Sequence, residues 1–161
     1  MSQQEINNYF DFERKKHFEF FLPYYKEKNF IVDKDNIDGN CAIDWDVRLE
    51  IFANKFILID EKARQGDFND CLVEIIQDMK TGKLGWLFGK KDWILYGSWA
   101  DKETAYPSSL YLIKSKELKQ YINDKDGFTK TCISKKGWGI TWNIVFFWND
   151  LVNKKIAKKL L

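Results

Sequence analysis

The sequence predicts a single domain of the α/β (α+β) class, a mixed central sheet flanked by helices, and three observations predict it. A chain of 161 residues is long enough to bury about two-thirds of its unfolded surface in one core. Apolar residues (45%) and charged residues of both signs (31%) are interspersed, as in a folded globular protein and not a disordered or fibrous one. Short β-prone runs mix with amphipathic segments, and no repeat, low-complexity tract or Pro/Gly/Ser linker divides the chain.

The elements follow in order. Between Glu5 and Glu27 the residues Ile6, Tyr9, Phe10, Glu13, His17, Phe20, Phe21 and Tyr24 recur near helical period, so a helix is expected there, ended or bent by Pro23. Asn29 to Gly39 reads as a connecting stretch. From Asp46 the apolar Val47, Leu49 and Ile51 alternate with Asp46, Arg48 and Glu50, which predicts a strand with one apolar face. Lys55 to Lys62 is a second β-prone run, and the short gap at Ala53-Asn54 makes an antiparallel hairpin the natural connection. From Phe68 to Met79 the apolar residues Phe68, Cys71, Leu72, Ile75, Ile76 and Met79 recur at helical spacing and predict an amphipathic helix, capped by Asp67, Asn69 or Asp70 and stopped by Gly82. Strands are expected at Trp93 to Gly97, Leu110 to Lys114, Thr129 to Ser134 and Ile140 to Phe147, with helices near Lys116 to Ile122 and Trp148 to Leu160.

Several function classes are disfavoured. The first residues lack a basic region followed by an apolar one, and the greasiest run, Ile144 to Trp148, is far short of the ~20 residues that span a bilayer, so a cytoplasmic protein without membrane contact is expected. Cys41, Cys71 and Cys132 are odd in number and widely spaced, which points to buried free thiols and not to disulfides or a thiolate zinc site. The single histidine, His17, excludes two-histidine zinc and phosphotransfer sites and reads as a partly exposed helix residue. From Lys114 onward eleven lysines stand against Glu117, Asp124, Asp126 and Asp150, a basic C-terminal third that suits either a polyanionic partner or an ordinary solvated surface.

The hairpin carries the chemistry. With Ala53 at the centre of a three-residue loop, Asp46 faces Asp60 and Asp44 faces Lys62. Any register that keeps Val47, Leu49 and Ile51 on one face with Ile57 and Ile59 leaves both aspartates on the other. Two carboxylates side by side across a strand pair repel unless a cation or a shared proton compensates. A divalent ion removes the repulsion, and oxygen ligands without histidine or thiolate select magnesium or manganese. Lys62, two residues beyond Asp60, shares its face and can serve an attacking water or a phosphate.

Asp46 followed after a strand and turn by Asp60-Glu61-Lys62 resembles the signature of the PD-(D/E)xK nuclease superfamily, the restriction-endonuclease-like fold. Trp45 stands where that pattern often has proline. The resemblance implies metal binding by Asp46 and Asp60, a backbone carbonyl from Glu61, and service to the water by Lys62. Asp44 competes for the role of first carboxylate, with Asp46 preferred because Val47 onward runs straight into the strand. Members often follow the hairpin with a helix bearing a supporting Glu or Gln, here Glu74 or Gln77, and carry a Glu on the preceding helix, here Glu13 or Glu19.

Arg64, Lys90, Lys91, Lys135 and Lys136 are candidate nucleic-acid contacts, although an exposed loop position is the blander expectation for Arg64. Trp86, Phe88, Trp93, Tyr96 and Trp99 could stack bases but suit core packing better. The functional expectation is a magnesium-dependent nuclease, with manganese as substitute, DNA favoured over RNA as substrate, and homodimerisation as one mode of action. The alternative is a non-catalytic nucleic-acid- or protein-binding subunit or inhibitor that keeps the fold, or a hairpin whose acids form a structural ion-pair network.

Overall fold

The hairpin forms the second and third strands of a six-stranded sheet. The structure, a computed structural model, describes residues 11–34, 46–124, 130–136 and 139–161, with backbone alone for 33, 34, 46, 130–132, 134–136 and 139. Strands β1 (Ile31–Lys34), β2 (Asp46–Phe52) and β3 (Lys55–Gln65) begin a mixed six-stranded sheet. The sheet continues through β6 (Trp93–Trp99), β7 (Ser109–Lys114) and β10 (Ala157–Lys159), in the order β1-β2-β3-β6-β7-β10. A second sheet contains β4 (Asp70–Asp78), β5 (Lys83–Leu84), β8 (Lys130–Lys136) and β9 (Gly139–Phe147), ordered β5-β4-β9-β8.

Strand parity explains the layers. In β2 and β3, Val47, Leu49, Ile59 and Ala63 point to one face, where they pack with Leu95, Trp99 and Leu110 against the N-terminal helix α1 (residues 11–27) through Phe12, Phe20, Phe21 and Tyr25. Trp99 is fully buried, and its ring meets those of Phe12, Phe20 and Phe21 edge-on at centroid distances of 5.8–5.9 Å. On the opposite face Ile94, Tyr96, Tyr111 and Ile113 pack against Cys71, Val73, Ile144 and Phe146 of the second sheet. Helices α2 (Ser115–Asn123) and α3 (Trp148–Asn153) complete this core with Leu118, Ile122, Trp148 and Leu151. β3 is therefore covered on both faces from Ile59 to Ala63.

The expected hairpin forms. Its register pairs Leu49 with Ile57, Val47 with Ile59 and Asp46 with Asp60. The turn is tighter than a three-residue loop: Phe52 pairs with Lys55 across Ala53-Asn54, and an irregularity between Glu50 and Phe52 absorbs the difference. Asn54 takes a left-handed φ of 61°, which asparagine tolerates, and its N–H donates to Glu50 Oε1 at 3.1 Å. The later strands and α2 also fall where expected, and most of the aromatic cluster serves the core, with Tyr96 and Trp99 buried and Phe88 exposed.

Four expectations are corrected. The helix predicted over Phe68–Met79 is strand β4: the residue off its helical stripe, Val73, is fully buried beside Cys71 and Ile75, and pairing with β9 satisfies the backbone. The stretch read as a connection contains β1, paired antiparallel to β2. The last helix stops at Asn153, and Lys155 (φ 60°) turns the chain into β10. Pro23 does not end α1, because the helix widens to π geometry over His17–Phe21, the Leu22 N–H donates to the His17 carbonyl, and α geometry resumes to Glu27. The wider turn makes room for a ring that would strike the preceding carbonyl in a regular helix. Among the described residues no helix is long and apolar enough to cross a membrane.

Candidate functional site

Asp60 lies on β3 between antiparallel β2 and parallel β6, and its side chain points to the second sheet. It is 0% exposed. Lys62, on the same face of the strand, places Nζ 3.1 Å from Asp60 Oδ1. The other oxygen, Oδ2, is ion-paired with Lys91, whose side chain is 2% exposed. Two ammonium groups thus converge on one carboxylate, and burial in low dielectric makes each pairing obligatory.

Lys91 reaches this place because its turn is pinned. The Asp92 N–H donates to the Leu58 carbonyl and the Leu58 N–H to Asp92 Oδ2, both at 2.9 Å, while the Ser115 N–H caps the Asp92 carbonyl at 3.1 Å. Trp86 lies over both cations, its ring centroid 5.1 Å from Lys62 Nζ and 5.8 Å from Lys91 Nζ, within reach of cation–π attraction. Gly85 sets the position of Trp86, since a Cβ there would meet the Glu74 carbonyl oxygen at 2.1 Å.

The opposite face of β3 carries a second polar group. Glu61 extends toward α1, where its Oε2 lies 2.7 Å from His17 Nδ1. Both side chains are buried. Burial raises the Glu61 carboxyl above its ordinary range, against the hydrogen bond and charge of His17, which lower it. Tyr25 is pushed well above the usual phenol range by burial and then by the charge of Glu61. His17 is therefore not a partly exposed helix residue, and Glu61, for which only a backbone role was expected, has its side chain buried against α1. The signal was in the helical stripe, where Glu13 and His17, one turn apart, interrupt an otherwise aromatic face. Glu13 is buried on that stripe, while Glu19 pairs with Lys16 at 2.9 Å.

The other candidates divide. Glu74 and Gln77 belong to a strand, so the helical i, i+3 relationship between them does not exist. Glu74 is buried opposite Asn143 and lies beside Gly85, and Gln77 is half-buried near the end of β4. Arg64 is no exposed loop residue: it sits in β3, ion-paired with Asp70 and stacked on Phe68 with its guanidinium 4.6 Å from the ring centroid. Lys91 is a buried partner of Asp60 and not a surface contact, whereas Lys90 is exposed. The side chains of Lys135 and Lys136 and all of Asp44 lie outside the described residues.

Asp60, with Asp46 as its partner across the β2–β3 ladder, is the residue type that could hold a hard divalent ion. Among the described residues the buried Asp60 Oδ1 has no hydrogen-bond partner, and its contact with Lys62 is an ion pair. Among the described residues no group of three or more His, Cys, Asp or Glu side chains is arranged to hold a metal; the side chain of Asp46 is not among them. An apolar cleft of about 560 Å³, lined by Tyr24, Phe30, Leu49, Ile57, Trp93 and Leu112 among others, opens on the α1 face, away from the Asp60 carboxylate. No protein-family model, curated protein or solved structure matches the chain.

Proposed function

We propose that this chain is a divalent-metal-dependent nuclease, with DNA favoured over RNA and the restriction-endonuclease-like fold as its ancestry. The observation that carries the reading is the pairing of Asp46 with Asp60 across the hairpin, with Lys62 3.1 Å from Asp60 on the same face. Asp46 and Asp60 would hold the ion, with the Glu61 carbonyl as a third oxygen. A bound magnesium or manganese ion would supply Lewis acidity toward the phosphate and a water of lowered pKa. Lys62 orients the attacking water and offsets charge on the phosphate. Exposed lysines, Lys90 among them, supply sequence-independent backbone contacts, and a homodimer would bring one site to each strand.

One observation favours a second reading, a non-catalytic binding protein. Asp60 is fully buried and matched by two lysines, the arrangement of a structural ion-pair network. Incubation with supercoiled plasmid, single-stranded DNA and RNA, in magnesium, manganese or chelator, separates the two. The nuclease reading expects cleavage that disappears with chelator and in Asp60→Ala and Lys62→Ala. Cleavage surviving those changes, or binding without any cleavage, rules it out.

A further inference from the structure

The Trp86–Phe88 turn holds one aromatic ring outside the core. Leu87 is fully buried and anchors the turn, while the Phe88 N–H donates to the Gly85 carbonyl at 3.2 Å and the Gly89 N–H to the Trp86 carbonyl at 3.3 Å. Phe88 is exposed, and among the described residues its ring meets no other aromatic ring and no cation. The exposed rings of Phe56 and Phe68 differ, since Arg48 and Arg64 lie over them at 4.7 and 4.6 Å. Two lysines share the turn with Phe88. Lys90, two residues beyond it, is exposed, and Lys119 of α2 places Nζ 3.4 Å from the Gly89 carbonyl oxygen. Among the described residues neither ammonium has a carboxylate partner, whereas Lys62 and Lys91 are both committed to Asp60. Burial and then the charge of Lys91 hold the Lys119 ammonium below the usual lysine range, a strain that an anion beside it would relieve.

We propose that the turn at residues 85–91 is a binding site for single-stranded nucleic acid, with a base stacked on Phe88 and backbone phosphates held by Lys90 and Lys119. The inference rests on the nucleic-acid reading of the chain, but on no metal at Asp60 and on no cleavage. Stacking asks only for an open aromatic face, which every base matches, so it is tolerant of sequence. Bases inside a duplex offer no free face, and the ring therefore selects unpaired strands. Phe88 and Lys90 are at most about 7 Å apart at Cα, which puts a base and its neighbouring phosphate within reach of one rigid turn. Trp86, on the same turn, covers Lys62 and Lys91 and leaves their pairing with Asp60 undisturbed. An acidic polypeptide would use the lysines alone; the open ring is what favours a base.

The test is fluorescence anisotropy of labelled oligothymidylate, a duplex of the same length and polyglutamate, titrated in chelator with the full chain. Phe88→Leu, Phe88→Tyr, Lys90→Ala and Lys119→Ala are compared with wild type, each checked for folding by circular dichroism. Wild type should bind oligothymidylate more tightly than the duplex. Phe88→Leu, which keeps apolar bulk without a π face, should weaken that binding roughly tenfold, and Phe88→Tyr should restore it. Each lysine variant should lower the salt slope of log K by about 0.7, the share of one phosphate on a single strand. No binding by wild type, wild-type affinity in Phe88→Leu, equal losses on single strand and duplex, or polyglutamate bound as tightly as oligothymidylate overturns the proposal. Metal-dependent cleavage by the same protein would then leave the nuclease reading standing. The expected binding pattern without cleavage in magnesium or manganese keeps the proposal and removes the nuclease. Should Phe88→Leu not fold, photocrosslinking of an iodouracil-substituted single strand to wild type, mapped by mass spectrometry, decides the matter. It should mark Phe88, and crosslinks found only elsewhere contradict the proposal.

Discussion

Asp46 stands directly across the β2–β3 ladder from Asp60. Like charges in that position are destabilising unless cations intervene, and Lys62 and Lys91 are the cations that the structure places on Asp60.

Asp60→Asn should lower stability more than Lys62→Met. The first leaves Lys91 buried without its carboxylate, a change on the order of 3–5 kcal/mol, whereas the second leaves Lys91 on Asp60 and replaces one stem with another. Urea unfolding of the two variants checks this, and equal or reversed losses would show that the ion cluster does not hold the sheet faces together.

Gly85→Ala should displace Trp86. The Gly85 backbone (φ −74°, ψ 174°) suits any residue, so the obstacle is the Glu74 carbonyl in the path of a Cβ. A cost of about 1–3 kcal/mol is expected from such overpacking, together with a changed tryptophan emission spectrum. A variant with wild-type melting and emission would show that the strand edge yields without moving the indole.

Glu61 sets a pH dependence. Its folded pKa is raised, so the native state holds the proton more tightly than the unfolded chain does. The stability this confers is complete below the ordinary carboxyl pKa of about 4.3 and is lost as pH rises through the folded value. Glu61→Gln, which keeps the shape of the protonated form, should therefore gain in melting temperature relative to wild type as pH rises above about 4.3. A constant difference across that range would contradict the assignment.

Cys71 should resist alkylation in the folded protein, because complete burial pushes its thiol far above the ordinary range and hides it from reagent. Iodoacetamide labelling followed by peptide mapping should modify Cys71 only after denaturation. Rapid labelling under native conditions would mean that the β4 core opens.

The hairpin was legible because alternation has a period of two, and apolar residues on both strands must face one core; Val47, Leu49 and Ile59 therefore determine where Asp46 and Asp60 go. Strand β4 was not legible, since Phe68, Cys71, Leu72, Ile75, Ile76 and Met79 fit the helical period while only Val73 argued otherwise. Its β-branched neighbours Ile75 and Ile76 were the available hint. Pairing with β9, about seventy residues downstream, overrode the local pattern. The place of Lys91 follows from the parallel pairing of β3 with β6, which nothing near Lys91 in sequence encodes. The His17–Glu61 contact lay between these cases, since an aromatic stripe interrupted by Glu13 and His17 implies a buried polar partner without naming it.

The most direct measurement is anomalous diffraction from crystals of the full chain soaked in Mn2+. A metal site at the hairpin predicts a peak about 2.0–2.5 Å from carboxylate oxygens of Asp60 and Asp46. Saturating Mn2+ with no peak at Asp60 would contradict the account.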